Sequence, residues 1–175
     1  MSAEYGLRRG TGWVSLLGQK LKLLSPGVEI INASISGDTT SGGRSRLAAL
    51  LTRHKPQIVM IELGGNDALR GLALSMSQDN LTNMVEQAQQ AQAKVILIGM
   101  QIPPNYGREY SLAFKTMFSS VSRAKHTALL PFLLEGVGPQ NEMFQADGIH
   151  PNESAQPIMM ETVLKVLLPA LKDFN

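Results

Sequence analysis

The sequence predicts an α/β fold, a three-layer α/β/α sandwich in which a central parallel sheet carries helices on both faces. Three observations predict it. Short aliphatic or β-branched runs at Val28–Ala33, Ile58–Leu63 and Val95–Gly99 alternate with helical stretches of ten or more residues, the pattern of repeated βαβ units. Loops follow these runs, and open α/β sheets bind ligands beyond the carboxyl ends of their strands. The chain has 175 residues, 43% of them hydrophobic, which suits a single domain spanning residues 1–175 with its own core and no linker or repeat.

Each element follows in order. Gly12–Leu24 sets Trp13, Leu16, Leu17, Leu21 and Leu24 near one helical face, and Pro26-Gly27 ends it. Val28–Ala33 reads as a short buried strand. Beyond the polar loop Ser34–Gly43, Leu47, Leu50 and Leu51 mark a second helix that Pro56 terminates. Ile58–Leu63 is the next strand, and Gly64-Gly65-Asn66-Asp67 follows as a loop. Ser77–Ala91, rich in glutamine, reads as a solvent-facing helix. Val95–Gly99 is a third strand, followed by the loop Gln101–Tyr106 with two prolines. Tyr110–Lys125 is a helix bearing Phe114, Met117, Phe118 and Val121. Leu129 and Leu130 suggest a short fourth strand. Ser154–Lys172 closes the chain as a helix, with Pro157 tolerated in its first turn.

Composition excludes several classes of function. A net charge of +2 and the lack of a basic stripe with interleaved aromatics argue against nucleic acid. With no cysteine, the chain has no disulfide, thiolate metal site or cysteine nucleophile. No apolar run reaches the roughly 18 residues that span a bilayer. No phosphate loop or metal-ligand cluster is visible, so neither a metal nor another cofactor is implied. Met1–Gly6 shows no signal-peptide pattern, which leaves the compartment open.

Chemistry concentrates in Asp147-Gly148-Ile149-His150-Pro151-Asn152. A carboxylate that orients an imidazole, and an imidazole that acts as a base, are two parts of a nucleophilic hydrolase. The plain alternative is an Asp-Gly turn beside a histidine that caps a helix. Of the three histidines, His54 sits at a basic helix end and His126 in a polar helix end or loop. Both have structural explanations, which leaves His150 as the candidate base.

Four segments, in order, resemble the SGNH (GDSL) hydrolases, and within them the bacterial thioesterase I/lysophospholipase/arylesterase group. They are Asn32–Thr39, Glu62–Gly71, Pro103–Gly107, and Asp147–Asn152 with Ala155-Gln156-Pro157 just behind. The likeness runs from about Ser2 to Leu171. It implies an SGNH/flavodoxin-like sheet and a serine esterase or thioesterase acting on acyl or aryl esters through an acyl-enzyme. His150 would be the general base and Asp147 its orienting carboxylate. The backbone N–H of Gly37 and the side-chain amide of Asn66 would be the oxyanion donors. Ala68, Leu69, Leu72, Ile102, Pro103 and Tyr106 match parts that line the acyl groove, although the prolines could equally just stiffen a connection. Relatives in this family are often periplasmic or secreted. The other readings are a non-catalytic lipid- or ester-binding homologue and a carbohydrate-ester deacetylase.

One block of the pattern is missing. The family's nucleophilic serine lies in a Gly-Asp-Ser block at the end of a first strand, and Ser2-Ala3 matches the residues after that block. Ser2 corresponds to its second serine rather than to the nucleophile. Residues 1–175 are therefore expected to lack both the nucleophile and the first strand, an N-terminally truncated domain relative to the family. Losing a triad nucleophile costs on the order of 10⁶ in turnover. Losing a central strand removes roughly 1.5–3 kcal/mol per buried side chain. Strand exchange with a second copy, in a homo-oligomer, is one way to fill such a gap.

Overall fold

A parallel sheet forms from β1 (Ile58–Ile61), β2 (Lys94–Ile98) and β3 (Ala128–Leu130), in that spatial order. Ile58 pairs with Lys94 and Ile61 with Leu97, while Ile96 pairs with Ala128 and Ile98 with Leu130. The last four residues of β2 are buried, as expected for the middle strand of a parallel sheet with its faces covered. The computed structural model describes residues 1–174. Contacts divide it into two compact units, Met1–Ser36 with Leu133–Leu168, and Gly37–Phe132 with Pro169 onward.

The second unit holds the sheet. The helices α2 (Thr40–His54), α4 (Leu74–Gln90) and α5 (Arg108–Lys125) belong to it, with the five-residue α3 (Gly65–Leu69) after β1. Helices α4 and α5 pack on β2, and α2 packs on α4. Spacing explains α5: Phe114, Met117, Phe118 and Val121 fall on one stripe and are all buried. The Phe114 and Phe118 rings meet edge-on at 5.3 Å. His126 caps the helix in the left-handed region (φ 53°), its N–H donating to the Ser122 carbonyl. His54 is the last residue of α2. Both histidines are thus helix-end residues, as their surroundings predict.

The first unit holds α1 (Trp13–Leu24) and most of α6 (Gln156–Leu171). Trp13, Val14, Leu17 and Leu21 form the buried stripe of α1. Gly12 offers no side chain to cap this helix, and Glu4 does the work instead. Its carboxylate accepts the N–H groups of Gly10 and Gly12 at 3.0 and 2.9 Å and the Ser15 hydroxyl at 2.8 Å. The Gly10 hydrogen bond leads the effects that hold the Glu4 carboxyl below its ordinary pKa. The backbone N–H of Trp13 donates to Oε1 of Gln156 at 3.0 Å.

The parallel α/β class is the one expected, but three local expectations are corrected. Val28–Ala33 belongs to no strand, and Ile31 is 48% exposed. Local propensity makes a strand only where a neighbouring strand completes the ladder. Gly64–Asp67 is not a loop throughout: Gly64 turns at φ 110° and α3 starts at the next residue. The helix expected at Ser77–Ala91 starts at Leu74 and is not merely solvent-facing. It buries Ser77, Asn80, Leu81, Met84, Val85 and Ala88 against its neighbours.

Candidate active site

Asp147 and His150 meet in the first unit. The Gln145–Pro151 loop is closed by Gln145 N–H to the His150 carbonyl at 2.8 Å and by Gly148 N–H to the Gln145 carbonyl at 2.9 Å. Gly148 takes φ 65°, a conformation that favours glycine. Phe144 and Pro151 bridge the ends of the loop. Asn152 fixes the exit, donating to the Glu142 carbonyl at 2.7 Å and accepting the Ser154 N–H at 3.0 Å.

Within this loop the two oxygens of Asp147 divide their tasks. Oδ1 accepts the backbone N–H groups of Ile149 and His150 at 2.9 and 3.0 Å, and Oδ2 lies 2.7 Å from Nδ1 of His150. The His150 backbone hydrogen bond, then that of Ile149, then the imidazole lower the Asp147 pKa to about 2. A carboxylate only accepts, so a neutral His150 carries its proton on Nδ1 and presents a lone pair at Nε2. Tyr5, for which the sequence held no signal, lays its ring against His150 with centroids 4.4 Å apart. Gln145 supports it by donating to the Tyr5 carbonyl at 2.8 Å. Ser2 is buried in this unit, at 5% exposure, and its carbonyl accepts from Asn32 Nδ2 at 2.9 Å.

Gly37 and Asn66 both lie in the second unit. Gly37 stands before α2 at φ 76°, where any side chain would strain the backbone. Nδ2 of Asn66 donates to the Asp38 carbonyl at 2.8 Å, so β1–α3 and the loop before α2 hold one another. Arg70 Nη2 donates to the Gly37 carbonyl at 3.0 Å. Asp38 accepts from Arg46 Nε at 2.9 Å and from Thr39 N–H at 3.0 Å. Asp67 and Arg70 lie in the Glu62–Gly71 motif, where spacing alone assigns neither a task.

The groove candidates also lie in the second unit. Tyr106 Oη is 3.5 Å from the Leu69 carbonyl, and Tyr110 Oη donates to the Leu72 carbonyl at 2.8 Å. These tyrosines bring the 102–110 segment against Leu69 and Leu72. Ile102 and Pro103 lead into the 3₁₀ turn Pro104–Tyr106, whose Tyr106 N–H donates to the Pro103 carbonyl at 3.3 Å. Ala68 is wholly buried, whereas Tyr106 is 37% exposed.

Comparison with known proteins adds a second kind of observation. The GDSL-like lipase/acylhydrolase family pattern matches residues 1–156. The chain is 50% identical over 171 residues to "Esterase TesA" of Pseudomonas aeruginosa, covering 98% of this chain and 85% of that protein. It is 38% identical over 169 residues to "Thioesterase 1/protease 1/lysophospholipase L1" of Escherichia coli K12, covering 97% and 80%. Among solved structures, the psychrotrophic esterase EstA from Pseudoalteromonas sp., inhibited by monoethylphosphonate, superposes with a TM-score of 0.93 at 39% identity, covering 98% and 93%.

Proposed function

We propose that this chain, which belongs to the GDSL-like lipase/acylhydrolase family and is a carboxylic ester hydrolase, works on acyl or aryl esters and thioesters through an acyl-enzyme. The observation that carries the reading is the Asp147–His150 pair, with Oδ2 2.7 Å from Nδ1 and the carboxylate further fixed by two backbone N–H groups. Such a pair keeps the lone pair of the base on Nε2, where it can take the proton of an attacking serine and later return it to the leaving group.

Gly37 N–H and Asn66 Nδ2 take the oxyanion role. An oxyanion forming where the carbonyl oxygen stood needs donors already aimed at it. Support comes from the φ of 76° at Gly37, which leaves no side chain in the way, and from the Asp38 carbonyl that fixes the Asn66 amide. Leu69, Leu72, Ile102, Pro103 and Tyr106 line the acyl groove in this reading, and Ala68 in the same segment is wholly buried.

The nucleophile is the serine of a Gly-Asp-Ser block, and residues 1–175 contain no such block. Ser2 is buried and is not assigned the task. Residues 1–175 by themselves therefore turn over p-nitrophenyl esters hardly at all. The same residues preceded by an apolar strand ending in Gly-Asp-Ser regain activity, and His150→Ala abolishes it again. Equal low rates with and without the added block would defeat the hydrolytic assignment of His150. A homologue that binds esters without cleaving them would then be the surviving reading.

A further inference from the structure

We infer that Asp67 is a positioning residue for the oxyanion donors, its buried carboxylate locking the Asn66 amide and the Gly37 loop into one rigid ring. This rests on the oxyanion reading above and assigns the residue that makes it work. Asp67 is fully buried. Its Oδ2 accepts the Thr40 N–H at 2.9 Å, and its Oδ1 accepts the hydroxyls of Thr40 and of Ser77, the latter at 3.1 Å. Asn80 Nδ2 donates to the same Thr40 hydroxyl oxygen at 3.1 Å, and Arg44 Nη1 donates to Asn80 Oδ1 at 3.2 Å. The side chains come from α2, α3 and α4.

Burying a carboxylate is costly unless donors meet it, and a well-packed apolar side chain often does better for stability alone. Position explains what the carboxylate adds. Thr40 opens α2 directly behind Gly37-Asp38-Thr39, and Asp67 directly follows Asn66. The Asn66 amide holds the Asp38 carbonyl at 2.8 Å while the Asp67 carboxylate holds the Thr40 amide. Chain and hydrogen bonds thereby close a ring. One Nδ2 proton of Asn66 is committed to Asp38, which leaves the second for a developing oxyanion. Arg70, on the Gly37 carbonyl, steadies the loop from its other side. Asp67 touches no reacting atom. It acts through Asn66.

A double-mutant cycle tests this, using Asp67→Asn, Asn66→Ala and the pair, on the hydrolytically active protein with any residues that precede Met1 in its gene. Asn66→Ala is expected to lower kcat about 10²–10³-fold. Asp67→Asn is expected to lower kcat about 10- to 100-fold with KM nearly unchanged, as for a donor misplaced by about 1 Å. In the Asn66→Ala background the same change should cost less than about 2-fold, because the group it positions is gone. A purely structural Asp67 would lower kcat by the same factor in both backgrounds, in step with the melting temperature, and that overturns the inference. If Asn66→Ala leaves kcat intact, the oxyanion reading falls and takes this inference with it. Should Asp67→Asn fail to fold, Ser77→Ala removes one hydrogen bond to the same carboxylate and must show the same non-additivity in smaller measure.

Discussion

At the scale of single residues, the pairing of Asp147 with His150 was legible because it is carried by residue types at a fixed spacing, Asp-x-x-His in a glycine-bearing loop. What the spacing could not show is that Oδ1 of Asp147 ties down the very backbone that carries the imidazole. Tyr5 was invisible for the opposite reason: a ring 145 positions upstream in the chain meets His150 only through the fold. Two outcomes follow at this scale. In the active enzyme, Asp147→Asn lowers kcat about 10⁴-fold by freeing the tautomer, and His150→Ala lowers it by up to about 10⁶-fold, both read with p-nitrophenyl esters. The second outcome concerns pH. The Asp147 carboxyl is held at about 2, below its ordinary 3.8, so the folded state favours the charged form. Its stabilising contribution is complete above the ordinary value and vanishes as pH falls through about 2. Urea midpoints of the wild type and Asp147→Asn should differ by a constant amount above about pH 4 and converge below it. A difference that widens on acidification would contradict this. Glu4, also lowered, contributes with the same sign, so the wild type as a whole loses stability over the acid range.

At the scale of elements, spacing alone predicts the buried stripe of α5, but in α1 it also marks Leu24, which is 49% exposed at the helix end, and in α4 composition masks the stripe. Leu81, Met84, Val85 and Ala88 keep a helical stripe through α4, but the surrounding glutamines and asparagines suggested a solvated helix. Ser77 and Asn80 are buried there because Asp67 and Thr40 give them partners, a demand no local pattern announces. α3 was missed because five residues carry no period to read. Glycines sharpen the same contrast. A Cβ on Gly99, just beyond β2, would lie 2.3 Å from the Pro131 carbonyl oxygen. Backbone cannot yield as a side-chain end can, so Gly99→Ala should destabilise by roughly 1–3 kcal/mol. Gly18 lies inside α1 with nothing within 4 Å of an added Cβ. There, Gly18→Ala should stabilise by about 0.5–1 kcal/mol through helix propensity. Urea unfolding of the two variants beside the wild type checks both signs.

At the scale of the whole molecule, the expected fold class held while one expected strand did not form, and the reason is physical rather than statistical. A β-branched run such as Val28–Ala33 specifies a strand only jointly with a neighbour that supplies the other half of the ladder. In the first unit, this run lies beside a groove of about 590 Å³ lined by Val14, Gly18, Lys22, Val28 and Ile30, among others. Ile31 and Ile35 are 48% and 58% exposed. In the second unit, β1 is an edge of the sheet, bonded only to β2 among the described strands. Exposed apolar runs and sheet edges recruit strands from other chains unless charge, proline or a bulge blocks them. Residues 1–175 should therefore self-associate as concentration rises, seen as an increasing weight-average mass in sedimentation equilibrium. Ile31→Lys, which places a charge on the exposed run, should shift that association to higher concentration without lowering the unfolding midpoint of the dilute protein. Supplying the apolar strand and Gly-Asp-Ser block in the same chain should suppress association altogether, since an intramolecular strand competes at a far higher effective concentration than a neighbour's. A monodisperse monomer across the concentration range, unaffected by either change, would mean that strand exchange plays no part.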